Sequence, residues 1–472
     1  MTMAMLDAAF VTAALGPRLR HPVPSPDVHT VFTRAVIDSR EVRAGDLFVA
    51  LPGERADGHD FVAAAVAAGA TGALVSREPA ADAIGSAVVF LVDDTLEALQ
   101  YLAATWRRLL PLQVVGVTGS VGKTTTKAIV AAVLGAKYRV QANPLNYNNE
   151  ISVPLCLLEL GPTTQFAVIE MGMYTIGEIA LLCRWAQPRT GIVLNVGPTH
   201  LERAGSIEAI AQAKRELPES LPEDGDAILN VDDPLVRAMA DHIRARIWWF
   251  GTDERAEVRA ADVTSDGAAS FSFTLHYRDE SRRVRVPLPG KHLVSNVLAA
   301  AATGLAHGMT FEEVADAIEA LAVPTRMRVI KRDDGTQIID DTYNAQPASM
   351  IAALDLMDEM PGRHIALLGD MRELGDASRY EHERVGERAG EVLDALVTIG
   401  DEARRLGAIA LTSGAGEVHH ATTHEEAAAL LLTLVRPGDV VLVKGSHALG
   451  LESVVTELER SGVRTADRGT QQ

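Results

Sequence analysis

Residues Val114–Lys127 read VVGVTGSVGKTTTK, an apolar run followed by small and hydroxylated residues and then Gly-Lys-Thr-Thr-Thr. A strand that turns directly into a helix collects backbone N–H groups and the positive end of the helix dipole at one point, which is an anion site. The strict phosphate-loop spacing G-x-x-x-x-G-K-[ST] fails by one position. Counting back five from Gly122 reaches Val117, and the nearest glycines are Gly116 and Gly119. The physics still favours a nucleotide. Gly119 and Gly122 permit close approach of the backbone to phosphate. Lys123 would reach the β- and γ-phosphates, the Thr124 hydroxyl would ligate Mg²⁺, and Ser120 and Thr125 complete the loop. The bland alternative is a loop that only turns a strand into a helix.

The surrounding sequence fits an enzyme of several domains. With 472 residues the chain is too long for one ordinary core. Hydrophobic residues make up 47% and charged residues 23%, a globular composition. The net charge of −19 argues against non-specific nucleic-acid binding, which needs basic surface. Cys156 and Cys183 stand among apolar residues and read as reduced core thiols of a reducing compartment. The opening MTMAMLDAAF lacks a basic segment ahead of an apolar one, so no secretory signal is read there, and no apolar run is long enough to span a membrane. A cytoplasmic, monomeric protein without membrane insertion is expected.

Three units are expected, 1–110, 111–323 and 324–472. In the first, DLFVAL (Asp46–Leu51) and TGALVS (Thr71–Ser76) read as strands around an Ala-rich helix ending at Gly69. In the second, PLQVVGV (Pro111–Val117), FAVIEMG (Phe166–Gly172) and TGIVLNVGPTH (Thr190–His200) read as buried strands separated by helices, hence a parallel sheet. Ser272–Gly290 reads as a hairpin insertion, and His292–Gly308 as a helix closed by glycine. In the third, three apolar strands end in Gly369-Asp370, Gly400-Asp401 and Lys444-Gly445-Ser446, which should line one ligand-binding edge. The tail Arg464–Gln472 reads as frayed. The fold class is α/β, with a central parallel-sheet phosphate-loop domain and an open parallel sheet in the third unit.

Other residues stand out around the loop. Glu170 ends an otherwise apolar strand, where a carboxylate is costly unless paired or on a metal. His200 falls just past the next strand at the same edge, as readily a ligand as a structural ring. Asn143–Asn149 holds four asparagines in seven residues, read either as a polar turn or as donors and acceptors for a polar substrate.

Together these residues resemble the Mur ligases, ATP-dependent amide-forming enzymes of bacterial cell-wall synthesis. T-G-x-x-G-K-T-T is that family's form of the phosphate loop, which explains the missing glycine at position 117. Asp38–Val62 resembles a UDP-binding segment. NNEISVP (Asn148–Pro154) resembles N-N-x-I-G-x-P, with Ser152 for Gly. Asn195–Glu216 resembles the family block running from N-x-G-x-x-H-L-E to A-K-x-E, and Gly290–Ala302 resembles G-x-H-x-x-x-N-x-L-A-A-A. DDTYNAQPASM (Asp340–Met350) is the most discriminating stretch. It is similar to the member that adds D-alanyl-D-alanine, whereas the member adding a diamino acid to the dipeptide precursor, the alternative reading, carries D-Y-A-H-T-P there. LLGDMRELGD (Leu367–Asp376) and VLVKGSHALGLE (Val441–Glu452) point the same way. Gln346 departs from Asn, Thr325 from Gly, and His447 from Arg.

The resemblance implies a UDP-binding first domain, a central ATPase domain and a Rossmann-like third. It implies that the γ-phosphoryl of ATP passes to the carboxylate of UDP-N-acetylmuramoyl-tripeptide, and that the amine of D-alanyl-D-alanine then displaces phosphate. By analogy Thr124 and Glu170 hold one Mg²⁺, and His200 with a carbamylated Lys214 holds a second. Asn296 contacts adenine, Arg326 and Asp341 close over the nucleotide, and Ser39 and Arg40 hold the UDP-sugar. Asn149, Tyr343, Asn344, Lys444 and Ser446 contact substrate. Each has a plainer reading. Lys214 in particular would ordinarily be a solvated helix lysine paired with Glu208.

Overall fold

The structure, a computed structural model, describes residues 5–21, 30–53 and 55–461. The tail read as frayed lies outside them, as do Met1–Ala4 of the opening stretch. Three sheets follow one another along the chain.

The first is a four-stranded parallel sheet of β1 (Ala35–Val36), β2 (Leu47–Val49), β3 (Gly72–Val75) and β4 (Val88–Leu91), in that order. It is followed by the helix Thr95–Leu109, whose N-cap Asp94 accepts from the Glu97 N–H. This helix does not stay with its own sheet. Leu99, Leu102 and Trp106 join one buried cluster with Val114, Leu157, Ala167 and Ile169 of the second unit. Arg107 is buried at the same junction and donates to three carbonyls, those of Ala186, Leu110 and Leu112.

The central sheet has nine strands: β5 (Gln113–Thr118), β6 (Val140–Ala142), β7 (Phe166–Glu170), β8 (Thr190–Val193), β9 (Asp226–Asn230), β10 (Arg246–Gly251), β11 (Val258–Ser265), β12 (Phe271–Tyr277) and β13 (Glu280–Val286). Their order is β13-β12-β11-β10-β9-β8-β5-β7-β6. From β5 the chain first builds to one side, through β6 and β7, and then to the other, from β8 onward. That reversal opens a crevice at the carboxyl end of β5. The hairpin expected as an insertion is β12–β13, and it extends this same sheet antiparallel to β11. Phe271, Phe273 and Leu275 point into the core while Ser272, Thr274 and His276 are half-exposed, the two-residue alternation of a sheet with one wet face. Over the sheet lies the helix Val294–Ala306, with Ala299–Ala302 fully buried. Their lack of bulk lets this helix sit close to the helix Lys123–Gly135.

The third sheet comprises β14 (Arg328–Lys331), β15 (Gln337–Asp341), β16 (His364–Gly369), β17 (Ala395–Ile399), β18 (Glu417–Ala421) and β19 (Val440–Lys444). Its order is β14-β15-β19-β16-β17-β18, parallel apart from β14. Separate clusters cover its two faces, one around Leu354, Leu368 and Leu396, the other around Ile365, Val397 and Val443. As expected, Gly369-Asp370, Gly400-Asp401 and Lys444-Gly445-Ser446 fall at one edge. No helix among the described residues is long and apolar enough to cross a membrane.

Candidate active site

The three sheets face one cleft of about 1450 Å³. Its floor is the loop after β5. Gly122 caps the helix Lys123–Gly135 in the left-handed region, φ +84°, and a Cβ there would lie 2.6 Å from the Asn296 amide nitrogen. Only glycine fits both constraints. Asn296, buried in its helix, donates to the Gly122 carbonyl (3.2 Å) and the Thr126 hydroxyl (2.7 Å). It therefore braces the loop, whatever base it also meets. The loop's other flank is pinned by Asn195. Its side chain accepts from the Val121 N–H, and its carbonyl accepts from the Ser120 N–H. The Ser120 hydroxyl donates to the Gly197 carbonyl. Lys123 folds over the loop and donates to the Gly119 and Ser120 carbonyls at 2.7 and 3.1 Å. Burial holds its pKa below the usual lysine range. Thr125 lines the cleft beside it.

Glu170 ends β7, next to β5, and is 1% exposed. Its carboxylate accepts from the Thr124 hydroxyl (2.8 Å) and the Asn148 amide (2.8 Å), with the Lys127 ammonium 3.6 Å away. A buried carboxylate so partnered is fixed in place.

His200 follows β8 with a left-handed backbone, φ +58°, uncommon for any residue but glycine. Lys214 lies in the helix Ile207–Glu219, which Ser206 caps. Its position shares the apolar face of Ile210, Ala213 and Leu217, so the lysine points inward. It is 2% exposed, lines the cleft, and has no ion pair or hydrogen bond among the described residues. The pairing with Glu208 expected of a solvated lysine does not form. Burial and the Lys123 charge hold its pKa well below the ordinary value.

From the third sheet, Arg326 donates to the Thr124 hydroxyl at 2.5 Å and lies over the Tyr343 ring, 4.1 Å from its centroid. Tyr343 stacks on His447, with centroids 5.6 Å apart and planes 28° apart. Asp341 and Lys444 end the paired strands β15 and β19 and bond to each other, and Lys444 also donates to the Asn344 carbonyl. Ser446 donates to the Asp370 carbonyl and accepts from the Arg372 N–H. Asp341, Lys444 and Ser446 thus build the edge as well as lining the cleft.

Three expected residues sit differently. Asn149 lines the cleft, but its side-chain oxygen accepts from Ile151, Ser152 and the Ser152 hydroxyl, holding the turn into the next helix. Ser39 lies outside the cleft lining, as does Arg40, whose guanidinium is tied to Asp38. Arg34, Ile37 and Glu41 from the same segment form that wall instead.

The sequence reading missed four groups: Asn148, Asn195, Lys127 and Glu373. Asn148 stood in the singled-out asparagine stretch. Lys127 follows Lys123 by one helical turn, a spacing that puts both on one face. Asn195 begins the block that ends at Glu216. Glu373 stood in the quoted stretch Leu367–Asp376, but nothing local named its partner, since His200 is 173 residues away.

Three family descriptions match the chain in order: "Mur ligase family, catalytic domain" over residues 32–107, "Mur ligase middle domain" over 117–304, and "Mur ligase, glutamate ligase domain" over 325–447. The UDP-N-acetylmuramoyl-tripeptide–D-alanyl-D-alanine ligase of Mycobacterium tuberculosis is 39% identical over 97% of this chain and 98% of its own. A crystal structure of MurF from Acinetobacter baumannii superposes with a TM-score of 0.86 at 32% identity, covering 98% of this chain and all of that one. MurF of Thermotoga maritima, solved in complex with ADP, superposes with a TM-score of 0.80 at 32% identity, over 91% and 98% of the two chains. With its three domains matched in sequence and in fold, the chain belongs to the Mur ligase family.

Proposed function

We propose that the chain is an ATP-dependent amide ligase that joins D-alanyl-D-alanine to UDP-N-acetylmuramoyl-tripeptide in peptidoglycan precursor synthesis. The observation that carries this reading is one cleft lined by all three domains and floored by the phosphate loop, with Arg326 of the third touching Thr124 of the second. The full-length likeness to ligases of that name, and the ADP held by the Thermotoga maritima relative, support it.

A free carboxylate is a poor acyl donor. The tripeptide carboxylate oxygen attacks the γ-phosphorus of ATP, the bond to the β-phosphate oxygen breaks, and ADP leaves. The deprotonated amine of D-alanyl-D-alanine then attacks the acyl carbon, the bond to the phosphate oxygen breaks, and phosphate leaves. Positioning and charge neutralisation carry such chemistry. Lys123 would swing from the loop carbonyls to the phosphate oxygens. Arg326 approaches from the other domain, held over the Tyr343 ring. Water must be kept from the acyl phosphate, and closure of the third domain over the cleft would do this.

The donor set fits Mg²⁺. Thr124 and Glu170 offer hard oxygens at one point, and His200 and Lys214 line the same cleft. Mg²⁺, when bound, would neutralise the phosphate oxygens. An ammonium at Lys214 has no lone pair to offer. As a carbamate, formed when the neutral amine adds to CO₂ and loses a proton, it would present oxygens. The burial that depresses its pKa favours the neutral amine this requires. A cytoplasmic location is part of this proposal.

The test is ADP release with UDP-N-acetylmuramoyl-tripeptide and D-alanyl-D-alanine, each omitted in turn. Sustained release is expected only with both. Equal release when a diamino acid and the dipeptide precursor replace them would reassign the substrate.

A further inference from the structure

Six non-glycine residues among those described have a left-handed backbone, and two of them, His200 (φ +58°) and Glu373 (φ +63°), bond to each other through their side chains. The His200 Nδ1 lies 2.5 Å from a Glu373 carboxylate oxygen. His200 belongs to the central domain, and Glu373 to the loop after β16 in the C-terminal one. The Glu202 N–H, two residues past His200, is directed at the Glu373 carbonyl at 3.4 Å. On another side the His200 ring meets Tyr174 edge to face, with centroids 4.9 Å apart, and Arg203 lies over the Tyr174 ring. His200, Tyr174 and Glu373 all line the cleft. Uncommon backbone conformations are retained where surrounding structure over-determines them, and they gather at functional sites.

We infer that Glu373 is a positioning residue for the ligation reaction: delivered by the C-terminal domain, it fixes the orientation and tautomer of His200 so that the Nε2 lone pair faces the metal side of the cleft. The inference rests on the reading of His200 as part of a metal site. An imidazole that donates Nδ1–H to a carboxylate keeps its proton there and leaves Nε2 as an acceptor or ligand. Without that partner the ring is free to take the other tautomer or to turn about its side-chain bonds. Because the carboxylate sits on a different domain from the imidazole, His200 is set for ligation only while the C-terminal domain is docked. The contact makes one ligand of the site conditional on closure, in place of a rigid scaffold.

Glu373→Ala and Glu373→Gln in the full chain test this, with Mn²⁺ as the probe. Binding is read without turnover, from loss of the free Mn²⁺ paramagnetic resonance signal in the presence of ADP. Steady-state kinetics then separate kcat from the KM for ATP. Loss of a residue that orients a metal ligand typically lowers metal affinity or activity by about 10–100-fold. The alanine variant is therefore expected to bind Mn²⁺ at least tenfold more weakly and to lose kcat with little change in the KM for ATP. The glutamine variant keeps an oxygen that accepts the Nδ1 proton and should recover most of both. Mn²⁺ affinity equal to wild type in the alanine variant would overturn the proposal alone. So would equal defects in both variants with Mn²⁺ binding unchanged, the pattern of a clasp that only holds the domains together. If the wild-type chain binds no Mn²⁺, the metal-site reading fails and takes the proposal with it. Should the alanine variant not fold, the glutamine variant decides: Mn²⁺ binding weakened to less than a tenth of wild type would overturn the proposal.

Discussion

Lys123 and Lys214 face the same cleft, and the charge of the first helps hold down the pKa of the second, which no carboxylate among the described residues offsets from within ion-pair distance. A buried amine left so exposed to like charge is a poor structural choice and a good one for chemistry that needs it neutral. Lys214→Ala is therefore expected to abolish ADP release, and added acetate to restore part of it by supplying carboxylate oxygens in the space vacated. Lys214→Met, similar in length but without an amine, should also be inactive, and acetate should not rescue it, because the thioether still fills the space. Full activity of the alanine variant would remove Lys214 from the site.

The brace between Asn296 and Gly122 predicts a coupled effect. Gly122→Ala forces a left-handed backbone on alanine and brings its Cβ 2.6 Å from the Asn296 nitrogen. A destabilisation of about 1–3 kcal/mol is expected from strain of this kind. The KM for ATP should rise as well, because the loop donors shift. Asn296→Ala should raise that KM by the same route. A change in melting temperature with nucleotide binding unaltered would show that this pair serves the core only.

His447 ends the stack that runs through Tyr343 to Arg326. An aromatic pair contributes about 0.5–1.5 kcal/mol beyond burial. His447→Ala should thus raise the KM for D-alanyl-D-alanine roughly three- to tenfold on that scale, with His447→Arg tolerated. Unchanged KM values for both peptide substrates in the alanine variant would take His447 out of the site.

Burial pushes the thiols of Cys156 and Cys183 up to about 12. For an acid whose pKa is raised, the neutral form dominates at all lower pH. At pH 8 only about one thiol in ten thousand would be ionised, and the thiolate is the reactive form. Iodoacetamide at pH 8 should leave the native chain unmodified and alkylate both cysteines after denaturation, as mass spectrometry would report.

Much of this was legible in the sequence because the signals are local. A strand, two glycines, a lysine and a run of threonines lie within fourteen residues, and Glu170 is a single charge at the end of an apolar strand. The inward face of Lys214 was not read, although its spacing to Ile210 and Leu217 holds it, because a lysine on a helix invites the solvated reading. What could not be read were contacts between distant segments: Glu373 on His200, Arg326 on Thr124, and Asn148 rather than Asn149 on Glu170. Register within a turn decides which of two adjacent asparagines faces the metal side, and sequence spacing does not encode it. The hairpin Ser272–Gly290 was recognised as a hairpin, but only the pairing of β12 with β11 shows that it continues the main sheet.

The helix Thr95–Leu109 lends its apolar face to the central sheet, and Arg107 spends its donors on three carbonyls there. The first two domains are therefore expected to unfold as one cooperative unit, whereas the third has its own cores. Heating should reveal two calorimetric transitions, not three. Arg107→Met should lower the one that belongs to the fused pair, because it strands three carbonyl oxygens away from water. A protease should nick the native chain first between Leu321 and Met327, releasing the C-terminal third intact.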